Sequence, residues 1–323
     1  TYIDQVRLIA VDHPEQLEIY TSEKFKSPPF PDFRLYGVAR RQYPLRAADQ
    51  DGRNVLERLI RRDRRYVYVP RPDLSGVAGM HTLDLDFGKA ATEPNQAVLV
   101  LNGWTDWADG SVFLNASQRP GGGLVLPYLQ VKDADGRWRT VIEDMGIPSG
   151  SPRSVAVDLT GKFLSASRQV RIVTNMCIYW DQVFLSEDAR VPEARLNQMG
   201  TVSADLLLRG FSQPVIYHNH EQPEEYIYSK WRPYTSWNQA AGLYTRYGPV
   251  PELVRSVDDK LLVMGSGDEL RLSFDARGLS PLPTGWRRDF LLMVDGWSKD
   301  GDANTAFADS VEPLPFHGMS SYP

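Results

Sequence analysis

Residues 97 to 104 read AVLVLNGW and residues 290 to 297 read FLLMVDGW. In both, an apolar run ends in Asn or Asp, then Gly-Trp, and Thr or Ser follows. Each is preceded by an alternating segment, HTLDLDF at 81 to 87 and ELRLSF at 269 to 274. Alternation places apolar side chains on one face of a half-exposed strand, whereas an unbroken apolar run suits a strand buried on both faces. The two patterns in succession, found twice, predict an all-β fold of stacked sheets in two related units. A weaker third copy, SVAVDLTG followed by VRIVTNMCIYWD, lacks the Gly-Trp.

Outward from these runs the chain is rich in short β-branched or aromatic segments separated by Gly, Pro, Asp and Asn, such as YIDQVRLIAV, RLYGVA and ADLLLRGF. Asp135-Gly136 in KDADGRW predicts a hairpin turn. Two stretches carry helical spacing. PELVRSVDDKLL opens on a proline suited to a first turn. VLERLIRRDRR reads as a short helix with a solvated basic end (Arg58, Arg61, Arg62, Arg64 and Arg65), with phosphate binding as the alternative. The expectation is two jelly-roll or galactose-binding-like β-sandwich units with one or two short helices. Residues 1–78 would form an N-terminal β segment packed on the first sandwich, 79–195 that sandwich and 196–323 a second β-rich unit, the polar stretch SEDARVPEARLNQMG marking the join.

The 323 residues exceed one ordinary core, and 42% apolar with 24% charged residues is a globular composition. A net charge of −5 gives no general attraction to polyanions, which argues against nucleic acid as a partner. No apolar run approaches the length of a membrane span. The single cysteine, Cys177, excludes an internal disulfide and reads as a buried small hydrophobe. The chain starts at Thr1 with no methionine, which points to a processed product or a piece of a longer protein.

Three groups of residues are candidates for a site. Trp104, Asp106, Trp107 and Asp109 follow the first apolar run, and Trp297 ends the second. An aromatic face beside carboxylates is what a sugar requires, but the same residues also build a sandwich corner. In KDGDANTAFAD, Asp300, Asp302 and Asn304 alternate as in calcium loops, with Asp309 able to add an oxygen. Thr305 replaces the glycine of an EF-hand loop and Val311 its closing glutamate, so only a looser structural calcium site, or a solvated turn, is left. In HNHEQPEE, His218, His220 and Glu224 resemble the first cupin metal motif without its flanking glycines, and a third histidine would have to be His317. Glu143 and Asp144 are paired acids of the kind glycoside hydrolysis uses. No nucleophile elbow, zinc-protease, phosphate-loop or dinucleotide motif occurs, so no catalytic residue is assigned. The expectation is a non-catalytic interaction or accessory module, with a carbohydrate-binding module proper, or a metal-dependent enzyme resting on HNHE and KDGDAN, as alternatives.

The stretches YIDQVRLIAVDHPEQLEIYTSEKFKSPPFPDFRLYGV, LNGWTDWADGSVFLNASQ, VIEDMGIPSGSPRSVAVDLTGKFLSASRQVRIVTNMCIYWDQ and DGWSKDGDANTAFADSVEPLPFHGM together resemble the C-terminal region of large bacterial proteins with FG-GAP-type propeller repeats and a CRTAC1-like (ASPIC/UnbV) domain. The resemblance implies a piece of a multidomain, extracytoplasmic protein built for adhesion, assembly or ligand capture, with other domains or subunits, or a glycan, as partners. It carries no catalytic residues. No propeller or helical repeat lies within this chain. LDLDFGK is similar to a strand of discoidin or galactose-binding-like sandwiches, which bears on fold alone.

Overall fold

A computed structural model describes residues 1–26, 29, 32–69, 77–90, 96–106, 110–118, 123–188, 193–217, 222–235, 239–301 and 305–319. The strands in chain order are β1 (Tyr2–Pro14), β2 (Glu18–Thr21), β3 (Leu35–Val38), β4 (Arg46–Asp49), β5 (Val77–Lys89), β6 (Val98–Thr105), β7 (Tyr128–Lys132), β8 (Trp138–Ile142), β9 (Arg153–Asp158), β10 (Ser167–Met176), β11 (Ile178–Ser186), β12 (Arg195–Met199), β13 (Thr201–Leu208), β14 (Phe211–Val215), β15 (Glu225–Arg232), β16 (Gly248–Pro249), β17 (Leu262–Val263), β18 (Asp268–Phe274) and β19 (Trp286–Trp297). Among the described residues there is one α-helix, α1 (Gly110–Ser117), with single 3-10 turns at Leu56–Arg58 and Pro251–Leu253. The chain is all-β, and no described helix is long and apolar enough to cross a membrane.

Two compact units divide the chain. The larger comprises Gln16–Pro192 and Tyr217–Glu224; the other is split into Thr1–Glu15, Glu193–Ile216 and Glu225–Pro323. The expected segment 1–78 is therefore not one body packed on the first sandwich. Its first strand, β1, pairs with β19 along its length, and on its other edge with β12 and β17, so residues 2 to 14 belong with the C-terminal strands. Strands β2, β3 and β4 stay with the larger unit.

In the larger unit a five-stranded sheet, β4-β5-β10-β7-β8, faces a three-stranded sheet, β11-β6-β9. One core joins them: Leu83, Leu85 and Phe87 of β5, Leu129 and Val131 of β7, and Val170 and Ile172 of β10 meet Leu99 and Leu101 of β6 and Val155 and Val157 of β9. The LDLDF alternation explains β5, since Asp84 points away from that core and takes a two-pronged bond from Arg171 at 2.6 and 2.7 Å. All eight residues of β6 are buried because its second face is covered as well. There Val98 and Val100 lie with Val38, Ala156 and Phe184 beneath Tyr20, Tyr36 and Tyr43, the first two tyrosines standing on the β2–β3 hairpin. The β7–β8 turn carries Gly136 at φ 77°, as the Asp-Gly pair predicts.

In the split unit, Val6 of β1 packs with Ala204 and Leu206 of β13 and with Leu270, Leu272 and Phe274 of β18, the order of the second sheet being β16-β13-β18. Neither predicted helix forms beyond its single turn. Their backbone groups are drawn into strand pairing instead: Val183 N–H donates to Leu59 O, and Val6 N–H donates to Val254 O, both at 2.9 Å. Tertiary hydrogen bonding overrides a helical spacing of apolar residues.

Because Leu101 is fully enclosed between two sheets while Leu292 on β19 is 57% exposed, the two leucines should respond differently to truncation. Leu101→Ala is expected to cost about 2–5 kcal/mol in chemical denaturation, and Leu292→Ala less than about 1 kcal/mol.

Candidate functional site

The first Gly-Trp ends β6, which is buried throughout, but the second ends β19, where Phe290, Leu292 and Val294 are exposed. That second apolar run is therefore not the strand buried on both faces that the sequence predicts, one of its faces being left uncovered among the described residues. Trp104 is 3% exposed, stacked on Tyr179 at 4.7 Å and 13° and met edge-on by Tyr66 at 6.0 Å. With Cys177, Val69 and Ala78 it forms a small core, so Trp104 has no ring face to offer a sugar and takes the structural alternative. Asp106 is buried too, its N–H bonded to Cys177 O at 2.9 Å. Trp297 is half-buried against Tyr2, Val263 and Val311, with the His317 ring edge-on at 4.9 Å. The glycines serve close strand approach. A Cβ on Gly103 would lie 2.5 Å from Tyr179 O, and one on Gly296 2.5 Å from Tyr2 O.

The echo in the sequence is a structural one, and it extends further than the Gly-Trp. Strand β6 pairs with β11 and β19 with β1, each with a register break on the partner strand, after Trp180 in one and after Ile3 in the other. The residue at each break is an aspartate, Asp181 and Asp4, and each is buried. Asp181 accepts the backbone N–H groups of Asp63 and Arg64 at 3.2 and 3.0 Å. Asp4 accepts those of Asp258 and Asp259, both at 3.2 Å. The second residue of each pair has a left-handed backbone, Arg64 at φ 65° and Asp259 at φ 62°, which a non-glycine adopts at a cost that the anchored N–H offsets. Tyr-Trp-Asp-Gln-Val at 179 to 183 and Tyr-Ile-Asp-Gln-Val at 2 to 6 are thus one device used in each unit.

On the outer face of the β11-β6-β9 sheet lies a cavity of about 370 Å³. Val100 and Phe184 line it together with Asn102, Ser154, Gln182, Tyr20, Arg41 and Tyr43, and with Arg61 and Arg62 from the loop anchored by Asp181. A chain of polar contacts crosses the cavity. Arg41 bonds Glu18 and donates to the hydroxyls of Tyr20 at 2.8 Å and Tyr43 at 3.3 Å, and Gln182 donates to Tyr43 Oη at 3.1 Å. Burial alone would lower the Arg41 pKa, but the bonds to Tyr43 and Glu18 outweigh it and hold the guanidinium charged. Burial, with the hydrogen bond to Glu18, raises the Tyr20 phenol and keeps it neutral.

Asn102 is the exception in this wall. Its Nδ2 donates to Arg153 O at 3.2 Å, while its buried Oδ1 meets no donor among the described residues. Exchanging the two amide atoms would set oxygen against a carbonyl, so this orientation is the consistent one. A buried acceptor left unsatisfied costs about 1–3 kcal/mol.

In the split unit a second polar cluster is closed by its own members. His317 Nδ1 lies 2.7 Å from Asp259 and 3.3 Å from Asp4, and Nε2 lies 3.4 Å from Asp295. Asp4, Asp259 and His317 each present one ligand atom within 4.8 Å of the others, a three-donor set that could receive a metal ion. Ion pairing accounts for the same arrangement: the bond to Asp259, then the charges of Asp295, Asp259 and Asp4, raise the His317 pKa, and that bond lowers the Asp259 pKa.

Among the described residues, none of the remaining candidates joins either cluster. Trp107, Asp109, Asp302, Asn304, His218 and His220 lie outside the described residues. Asp309 is exposed, and the Lys299 ammonium lies against the nearby carbonyls of Ser310 and Glu312 at 2.7 and 2.9 Å. Asp300 is half-buried and Glu224 exposed. Asp144 closes a turn on Gly146 N–H at 2.8 Å, beside an exposed Glu143. Of the cavity residues, Arg61 and Arg62 stand out in the sequence as part of its basic run, while the rest are scattered from Tyr20 to Phe184 without a signal. No family model matches the chain, and neither does any curated protein or solved structure.

Two outcomes follow from the anchors. Asp181→Ala strands two N–H groups and should cost about 1–3 kcal/mol by chemical denaturation, whereas Asp181→Asn, with both bonds made to one oxygen, should keep most of that stability. His317 stabilises the split unit below its ordinary pKa, and that contribution fades as pH rises through the raised folded value. The Asp259 contribution fades as pH falls through its lowered value. The Tm difference between the native chain and His317→Gln should therefore be largest in mildly acidic buffer and shrink towards both strong acid and alkaline pH.

Proposed function

We propose that the chain is a non-catalytic binding module of a larger, exported bacterial protein of the FG-GAP and CRTAC1-like kind, and that it holds a glycan on the outer face of the β11-β6-β9 sheet. The single observation that supports this reading is the cavity itself, whose walls carry Tyr20, Tyr43, Asn102 and other hydrogen-bonding side chains above an apolar floor. A tyrosine-lined wall offers a sugar apolar surface beside polar tips. A ligand pocket on a two-sheet sandwich agrees with a galactose-binding-like or jelly-roll architecture for the larger unit. The proposal assigns no reaction to the chain.

A second reading, docking of a partner chain, is favoured by one feature. Phe290, Leu292 and Val294 stand exposed in a row on β19, whose outer edge is unpaired among the described residues. Mass in solution separates the two. A monomer supports the glycan reading, and a dimer or larger species that Leu292→Glu dissociates supports docking.

The glycan reading is tested by retention of the native chain on an array of polysaccharides, repeated with Asn102→Ala. Retention of at least one glycan, weakened about tenfold in the variant, is expected. No retention by any glycan, or retention unchanged by the substitution, would overturn it.

A further inference from the structure

The two units share one frame, and comparing what fills it in each identifies the charge of the ligand. Asp295 pairs with Gln5 as Asn102 pairs with Gln182, so the two side chains hold corresponding places. In the split unit that place is served from within the chain, by His317 Nε2 at 3.4 Å. In the larger unit the corresponding oxygen is buried with no donor among the described residues, on a residue that lines the cavity.

The loops anchored by the two aspartates correspond residue by residue. Leu59 and Val254 accept from β11 and β1 in the same way, and Arg64 and Asp259 share the left-handed backbone. Counting along the loops, Arg61 and Arg62 stand where the split unit has Ser256 and Val257. The frame therefore does not require arginine at either place. The two cations occur only in the copy that has the cavity.

Both arginines are exposed, and neither has a carboxylate partner among the described residues. Arg41, by contrast, is already taken by Glu18, Tyr20 and Tyr43. Two exposed guanidinium groups without an ion pair among the described residues stand at the wall of one cavity, Arg62 in the field of the buried Asp181, in a chain of net charge −5. A guanidinium fork matches the paired oxygens of a carboxylate or a sulfate.

We infer that the sugar bound at this cavity is acidic, with Arg61 and Arg62 meeting its carboxylate or sulfate oxygens. This rests on the glycan reading above and narrows it.

The test is calorimetric titration of the full 323-residue chain at low salt with three probes of equal length: an oligogalacturonate, a sulfated galactan oligosaccharide and neutral galactan. At least one acidic probe should bind about tenfold or more tighter than the neutral one, and the tighter of the two names the acidic group. The Arg61→Gln, Arg62→Gln double variant, altered only at exposed side chains, should lose that advantage and keep its binding of the neutral probe. Raising the salt should weaken the acidic probes alone. Equal or tighter binding of neutral galactan, or an acidic preference that survives the double substitution, would overturn the inference and leave the glycan reading standing. Absence of binding to all three probes would remove both.

Discussion

A buried aspartate at a break in strand register, accepting two consecutive backbone N–H groups from a distant loop, is the constraint on which both units turn. At Asp181 and at Asp4 the strand carries one extra residue, and the side chain of that residue fastens a loop that would otherwise leave its amide groups unpaired. Desolvation raises the Asp181 pKa, and the two N–H bonds oppose that shift. Glycine on the neighbouring strand, Gly103 or Gly296, allows the chains to approach closely enough for the arrangement to exist.

The frame, once built, is filled in two ways. In the split unit a histidine lies among three carboxylates, and the polar groups there find partners within the chain. In the larger unit the sheet carries a cavity, and the Asn102 amide oxygen beneath it is buried without a donor among the described residues. The same frame thus supports a self-paired polar cluster in one unit and a cavity in the other, the difference lying in a few side chains. The apolar floor of Val100 and Phe184 is held by the same packing that buries β6 on both faces.

Much of the fold was legible because it follows from periodicity. The unbroken run ending in Leu101 could only be satisfied between two layers, and Asp135-Gly136 could only turn a hairpin. The loop sequences were misleading for a physical reason. Leu59 and Val254 repeat at helical spacing, yet their carbonyls serve neighbouring strands. Trp104 illustrates a different limit, since a tryptophan beside acids has the same local sequence whether it faces a sugar or a core. The partner of β1 was hidden because sequence order does not state which strands pair. A signal did exist in the repeated Tyr-x-Asp-Gln-Val, which ties the first strand to the frame that contains Gly296. The cavity had no such signal, its lining being brought together from strands and loops far apart in the chain.

The place of β1 bears on how the polypeptide reaches its native state. Its principal neighbour, β19, is made almost three hundred residues later, so during synthesis β1 waits while the intervening chain follows. The body formed by residues 16 to 192 holds its own sheets and core, and can close while the later segments are still being made. Throughout that interval an alternating segment with buried-type residues at Val6, Ile9 and Val11 has unpaired edges and is open to wrong pairings. Maturation of the split body is thus tied to completion of β19.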